Sequence, residues 1–436
     1  MSAPVTGGRH SRRTILALAA GAAGAAGVAA TPGAADAHET PGEGWTGSWA
    51  AVPTTVPPGD PTVLSARTVR HVVHLSLGGD RLRVRLTNEF GTAPLVVGEV
   101  RVARRLGSGA ATTTVPGTDR RVTFGGRGAV TVPAGAPMVS DPVALRVPDG
   151  SDLTVSIYLP EPTPVTTLAA FAFQENVLAD GNVTAAARLT PVATVTQNLF
   201  LSGVSVRRHA PAIVAFGDSI TNGANTRTNA NHRWPDLLAA RLRGAGLDRG
   251  VVNLGVSGNR LLHDPDPPAG SDAVAYAAYF GQSGLRRFDR DVLAQPGARH
   301  LIVLLGINDL GHPGTTAPAS ETVTAADLIG GHRQLIARAR QAGMRVHGGT
   351  ILPCQGDTFG FFSPENERKR REVNRWIREG GEYDGIVDFD AVMRDPAQPL
   401  RLNPAYDSGD HLHPNDTGMA VMAAAVPLRF FRGHAS

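Results

Sequence analysis

The chain has little of three things: cysteine, lysine and aromatic rings. Among 436 residues there is one cysteine, Cys354. A single thiol closes no internal disulfide, so stability has to come from core packing. Cys354 follows the apolar run Ile351-Leu352-Pro353 with no basic residue adjacent, which reads as a buried thiol rather than a nucleophile. Lysine occurs only at position 369; arginine supplies the remaining positive charge, dispersed to a formal net charge of +4. No basic run with interleaved aromatics appears, so nucleic-acid binding is not expected. Phe, Trp and Tyr make up 5% of the chain, which leaves few rings for an extended sugar-stacking platform. Charged residues are modest too, at 18% against 42% hydrophobic. That balance excludes wholesale disorder and supplies a large core. At this length two domains are expected.

The first 37 residues read as an address rather than as fold. Arg9, Arg12 and Arg13 precede an Ala/Gly/Leu run from Ile15 to Ala30, and Ala35-Asp36-Ala37 offers a small-x-small cleavage site. The run is too short and too rich in Ala and Gly to read as a membrane span. Ser11-Arg12-Arg13-Thr14-Ile15-Leu16 resembles a twin-arginine export signal; an ordinary secretory signal with two adjacent arginines is the alternative. With no cysteine near the cleavage site, a lipid anchor is excluded by chemistry. The expectation is a secreted, extracellular protein with no membrane span in its mature form.

Two patterns divide the rest. Residues 45–207 hold short apolar or alternating runs separated by Pro and Gly, with no long helical period. Val69 to Leu77, the turn Gly78-Gly79-Asp80 and Leu82 to Leu86 read as a hairpin. Further strands are expected at Val96 to Val102, Val122 to Phe124, Val130 to Val132, Val143 to Val147 and Leu153 to Leu159. This half is expected to be an all-β sandwich or jelly roll. Residues 211–433 alternate instead. Strands are expected at Ile213 to Phe216, Val251 to Leu254, Leu301 to Leu305, Met344 to His347 and Ile386 to Phe389. Helices are expected near Trp234 to Leu242, Ala325 to Ala342 and Glu365 to Glu379. That is an α/β parallel sheet with helices on both faces.

Ligands of such sheets gather at the carboxyl ends of the strands, and four segments fall there. Gly217-Asp218-Ser219-Ile220 follows the first strand; a serine in that place is a nucleophile if a base adjoins it, and otherwise a helix N-cap. Asn253-Leu254-Gly255-Val256-Ser257-Gly258-Asn259 leaves glycine N–H groups open to a ligand, or simply makes a tight turn. Gly306-Ile307-Asn308-Asp309 offers an amide donor, or an Asx turn. Asp410-His411-Leu412-His413 places a carboxylate three residues before a histidine, close enough to fix its tautomer. The alternatives there are a solvated loop, or a metal site built from Asp407, Asp410, His411 and His413.

Ser, Gly, Asn and Asp-x-x-His, in that order and each at a strand end, resemble the SGNH/GDSL hydrolases over roughly residues 212–428. The resemblance implies a flavodoxin-like catalytic domain and an acyl-transfer mechanism without cofactor or metal. It makes Ser219 the nucleophile, His413 the general base and then acid, and Asp410 the residue that orients it. The N–H groups of Ser219 and Gly258 and the Asn308 amide would form the oxyanion hole. His411, one residue from Asp410, is the less suitable base because its side chain would point the other way.

Trp45-Thr46-Gly47-Ser48-Trp49, the Arg70 to Asn88 segment and Phe288-Asp289-Arg290-Asp291-Val292-Leu293 are similar to a secreted subgroup resembling a rumen xylanase-associated arylesterase/acylhydrolase. That likeness implies short-chain, acetyl esters on plant polysaccharide as substrate. The β-half would then bind carbohydrate through Trp45 or Trp49, or merely pack against the catalytic domain. The segment 263–284, with Tyr276, Tyr279 and Phe280, lies at the cleft mouth and is expected to set substrate choice. A lysophospholipase or thioesterase, or a silent carbohydrate-binding protein, are the alternatives.

Overall fold

A computed structural model describes residues 44–432 apart from Asp60 and Ala111. The expected export signal over 1–37 lies outside the described residues.

Five strands build a parallel sheet: β1 (Ala212–Gly217), β2 (Gly250–Gly255), β3 (Ala298–Leu304), β4 (Arg345–Gly349) and β5 (Gly385–Val387). Their spatial order is β2-β1-β3-β4-β5, every neighbour parallel. This is the flavodoxin-like, doubly wound order, with its switch point between β1 and β3. Side chains of a strand alternate between faces, and β1 shows it. Ile213 and Ala215 enter one core together with Trp234, Leu238, Met419 and Met422. Val214 and Phe216 enter the other, with Leu328, Leu335, Val373 and Ile377. The helices supplying those residues are, in chain order after the short α1 (Ser219–Asn222), α2 (Trp234–Gly244), α3 (Ala325–Gln341), α4 (Pro364–Glu379) and α5 (Asp416–Ala425). Helix α3 starts at a reciprocal capping box between Thr324 and Asp327, and Ser363 caps α4 ahead of Pro364, both standard ways to satisfy first-turn N–H groups. Strand β5 stops at Val387 rather than Phe389. The Asp388 carboxylate accepts from the Ala391 N–H and starts a short helix at Phe389 instead.

Residues 45–207 form a sandwich of two antiparallel sheets. One has strands Trp45–Ala50, Leu201–Arg207, Gly79–Thr87 and Val143–Val147 in that order, with Pro137–Val139 also paired to Gly79–Thr87. The other runs Ala193–Val195, Asn176–Asp180, Arg67–His74, Asp152–Leu159, Glu99–Arg104, Arg120–Val122. Leu82, Val84 and Leu86 of the first share one core with Val69, Val155 and Val100 of the second.

The hairpin expected across Gly78-Gly79-Asp80 does not form, because its two arms join different sheets. The link between them is an arch. Leu75 and Leu77 are buried in the sandwich core. The N–H groups of Leu75, Ser76 and Gly78 donate to the Ser151 carbonyl, the Ser48 carbonyl and the Asp149 carboxylate. Those partners replace the ladder a hairpin would have provided. The expected strand Val96 to Val102 is likewise interrupted at Gly98, and its halves pair with Val130–Val132 and Asp152–Leu159.

Residues 208–211 connect the last sandwich strand to β1, and the described residues lie in one compact unit. Strand Trp45–Ala50 lies against β2, where a Cβ at Gly250 would overlap the Gly47 carbonyl. The Thr46 hydroxyl donates to the Ala210 carbonyl at 2.7 Å, and the Val251 N–H donates to the Ser76 hydroxyl at 2.9 Å.

Candidate active site

The carboxyl ends of β1, β2 and β3 meet at one spot. β1 ends at Gly217, where a side chain would collide with Thr221. Asp218 then caps α1, its Oδ1 accepting the Ile220 N–H at 3.0 Å. Ser219 is therefore fixed at the first position of a helical turn, and is nearly buried. Its Oγ lies 2.8 Å from Nε2 of His413, whose Nδ1 lies 2.6 Å from Oδ2 of Asp410. Oδ1 of Asp410 accepts the N–H groups of Leu412 and His413, and Oδ2 also accepts from Asn225 Nδ2 at 2.7 Å. Burial pushes the Asp410 carboxyl up. The hydrogen bond and charge of His413, with the two N–H groups, overcome this and hold it well below the usual carboxylate range. An ionised carboxylate only accepts, so His413 carries its hydrogen on Nδ1 and presents Nε2 as acceptor to the serine hydroxyl. His411 turns away on a left-handed backbone (φ 61°), and its ring pairs with Asp407. The two histidines thus face separate carboxylates. Among the described residues no group of three His, Cys, Asp or Glu side chains is placed to hold a metal ion.

Gly258 follows β2 in a tight turn closed by the Asn259 N–H on the Val256 carbonyl, with φ +76°. Phe280 lies against its α-carbon, so that a Cβ there would overlap the ring. Asn308 begins the turn after β3, behind Gly306 at φ 124°, and is buried. One hydrogen of its amide goes to the Asn259 carbonyl at 2.9 Å. The second hydrogen and the Gly258 N–H meet no acceptor among the described residues. Next to Asn308, burial pushes the Asp309 carboxyl up to about 6, although it accepts the Leu261 and Leu262 N–H groups. Burial likewise raises Asp218 to about 7.

Rings gather at this spot in a chain poor in them. Phe359 stands edge-on to His413 with centroids 5.7 Å apart, then Phe361, His312, Phe280 and Tyr276 follow, neighbours 5.1–5.8 Å apart. The arc runs from His413 to the ring that covers Gly258. Phe171, from the sandwich, meets Tyr279 edge-on at 6.3 Å. Phe171, Tyr276 and Phe359 are 40%, 38% and 46% exposed, so these rings are partly open to solvent. The segment 263–284 thus reaches the site through Phe280. Trp49, in contrast, is buried in the sandwich core, and the Arg83 guanidinium covers the Trp45 ring at 4.2 Å; neither is the open sugar platform considered from sequence. Cys354 is buried, which pushes its thiol up to about 12.

Three residues here carried no readable signal in the sequence: Asn225, His312 and Phe359. Each is an isolated polar or aromatic residue in a loop or short helix, and only the fold brings it to the site.

Residues 215–421 match the GDSL-like Lipase/Acylhydrolase family, a span that holds Ser219, Gly258, Asn308, Asp410 and His413. No curated protein matches the chain. Three solved structures to which it is similar are an aryl esterase of M. smegmatis, a carbohydrate acetylesterase of Sinorhizobium meliloti and an acetyl-xylooligosaccharide esterase of Geobacillus. The first is 18% identical with a TM-score of 0.38, covering 50% of this chain and 96% of that one. The second is 15% identical with a TM-score of 0.36, covering 49% and 95%. The third is 20% identical with a TM-score of 0.37, covering 51% and 95%. The match of residues 215–421 to the GDSL-like lipase/acylhydrolase family supports a carboxylic ester hydrolase.

Proposed function

We propose that the protein is an exported serine esterase that removes short acyl groups, acetyl foremost, from polysaccharide. The observation that carries the mechanism is the hydrogen-bonded series Ser219–His413–Asp410. His413 takes the hydroxyl proton as Ser219 Oγ attacks the ester carbonyl, and Asp410 stabilises the imidazolium that forms. The N–H groups of Ser219 and Gly258 and the free hydrogen of Asn308 receive the oxyanion. As the tetrahedral intermediate collapses, the C–O bond to the alcohol breaks and the alcohol leaves with the proton from His413. Water then attacks the acyl-enzyme with His413 again as base, releasing the acid and restoring Ser219.

Two features support the substrate. The ring faces of Phe171, Tyr276 and Phe359 at the rim suit the apolar face of a sugar, and Asn222, Ser257 and Arg233 line the adjoining cleft with polar groups. Phe280, pressed against Gly258, favours a small acyl group over a long one. Export is supported by the twin arginines Arg12 and Arg13 ahead of the apolar run; changing both to lysine is expected to hold the precursor inside the cell, as cell fractionation would show.

Hydrolysis of p-nitrophenyl acetate and longer p-nitrophenyl esters, alongside acetylated xylo-oligosaccharide, tests the reading. Acetate is expected to be the fastest ester, acetate release from the oligosaccharide is expected, and both vanish in Ser219→Ala. Preference for long chains would replace the polysaccharide reading with a lysophospholipase- or thioesterase-type one. Equal rates in both proteins would remove Ser219 as nucleophile.

A further inference from the structure

Arg287 is fully buried beneath the carboxyl ends of β1 and β2. The guanidinium takes one carbonyl from the end of each strand, and that of Gly217 accepts the Val256 N–H as well. Nη2 donates to the Gly217 carbonyl and Nη1 to the Leu254 carbonyl, each at 3.0 Å. Nε donates to Asn259 Oδ1, also at 3.0 Å. The plane of the group stacks on Phe216, 4.1 Å from the ring centroid. Asn259 extends this bracing. Its side-chain nitrogen donates to the Phe280 and Gln282 carbonyls, and its own carbonyl accepts the Asn308 amide. One planar fork is therefore bonded two residues before Ser219, and to the residue directly after Gly258. Through that residue it also reaches the carbonyl that orients Asn308.

Such an arginine is an expensive way to fill space. Burial lowers its pKa to about 10, and its nearest carboxylate, Asp291 at 3.3 Å, is shared with Arg290. Replacing buried ion pairs with apolar side chains is often neutral or stabilising, so the planar geometry of the fork has to be its use. A lysine, with one nitrogen, cannot reach three acceptors arranged in a plane.

We infer that Arg287 is a positioning residue for ester hydrolysis, holding the Ser219 and Gly258 N–H groups and the Asn308 amide in the mutual orientation that receives the oxyanion. The inference rests on the serine-esterase reading above. Oxyanion contacts are made in the transition state and not with bound substrate, so losing their alignment lowers kcat and leaves KM nearly alone.

The test is a double-mutant cycle between Arg287→Lys and Asn308→Ala on p-nitrophenyl acetate, with thermal melts to confirm folding. Arg287→Lys alone is expected to lower kcat about 10- to 100-fold, short of or equal to the loss of one donor, with KM within about twofold. Fluorophosphonate labelling of Ser219 is expected to slow in parallel. On the Asn308→Ala background the same change is expected to cost several-fold less than it does alone, because one of the three donors it aligns is gone. A folded Arg287→Lys with unchanged kcat overturns the inference, and so does an undiminished effect in the double variant, which marks a merely structural role. Should Arg287→Lys fail to fold, Asn259→Ala cuts the same bracing while leaving Arg287 on Asp291, and the cycle is read with it. Activity that survives Ser219→Ala would instead strike the esterase reading beneath.

Discussion

A methyl group on Gly258 would meet the Phe280 ring on a backbone already at φ +76°. Gly258→Ala is therefore expected to cost about 1–3 kcal/mol of stability and, by turning away the N–H, about 10²–10³ in kcat; a melt and an esterase assay on one preparation would show both. On the proposed mechanism Asp410 acts through His413. In Asp410→Asn the partner of Nδ1 can donate rather than only accept, the wrong tautomer is favoured, and kcat is expected to fall by about 10⁴ with KM little changed. His411 offers the contrast. It is exposed, in the left-handed region and bound to Asp407. His411→Asn, a residue that tolerates that backbone, is expected to leave kcat within about twofold of wild type. Equal losses in Asp410→Asn and His411→Asn would contradict the assignment of His413 as the base.

Helix α3 shows how an element is set by a few residues. Thr324 and Asp327 satisfy each other's N–H groups at its start, so Thr324→Ala is expected to lower stability by about 1 kcal/mol with activity intact. Elements of this kind were readable in the sequence, because their signals are local. The alternation of Ile213, Val214, Ala215 and Phe216 between two cores is the period of two that marks a strand, and Gly-Asp-Ser, Asn-Asp and Asp-x-x-His sit directly at element ends. What stayed hidden depends on partners far along the chain. The turn at Gly78 was legible as a turn. That it carries the chain from one sheet to the other depends on Ser48, Asp149 and Ser151, which no local pattern couples to it. Phe389 read as the end of a strand because it is apolar, yet the cap on Asp388 decides for helix. Arg287 has the same character. Within Leu285-Arg286-Arg287-Phe288 nothing separates it from Arg286, which is exposed and paired with Asp264.

At the scale of the molecule, titration sets the conditions for stability. Burial lowers His71, His300 and His332 to about 4 and His312 and His347 to about 3. Unfolding returns each to about 6.5, so this stability is present above that pH and is lost as pH falls towards the folded values. Asp218 and Asp309 have the opposite sign. Their folded pKa values, about 7 and about 6, lie above the unfolded one, so their contribution is present at low pH and is lost as pH rises through those values. Five groups outweigh two, and the melting temperature is expected to rise between about pH 4 and pH 7. In Asp218→Asn, which removes one opposing group, the rise is expected to be steeper; a shallower one would reverse the sign assigned to that carboxyl. The packing of strand Trp45–Ala50 onto β2 predicts one calorimetric transition for the sandwich and the parallel-sheet half together, not two. The spacing of the reactive pair has a further consequence, in time rather than in space. Ser219 and His413 are 194 residues apart, and the segment that brings the base ends in α5, whose Met419 and Met422 pack with Leu238 of α2. A ribosome makes the nucleophile long before the base, so the growing chain cannot hydrolyse anything. On the proposed mechanism catalysis waits for α5 to dock, so turnover also reports that this part of the fold is in place.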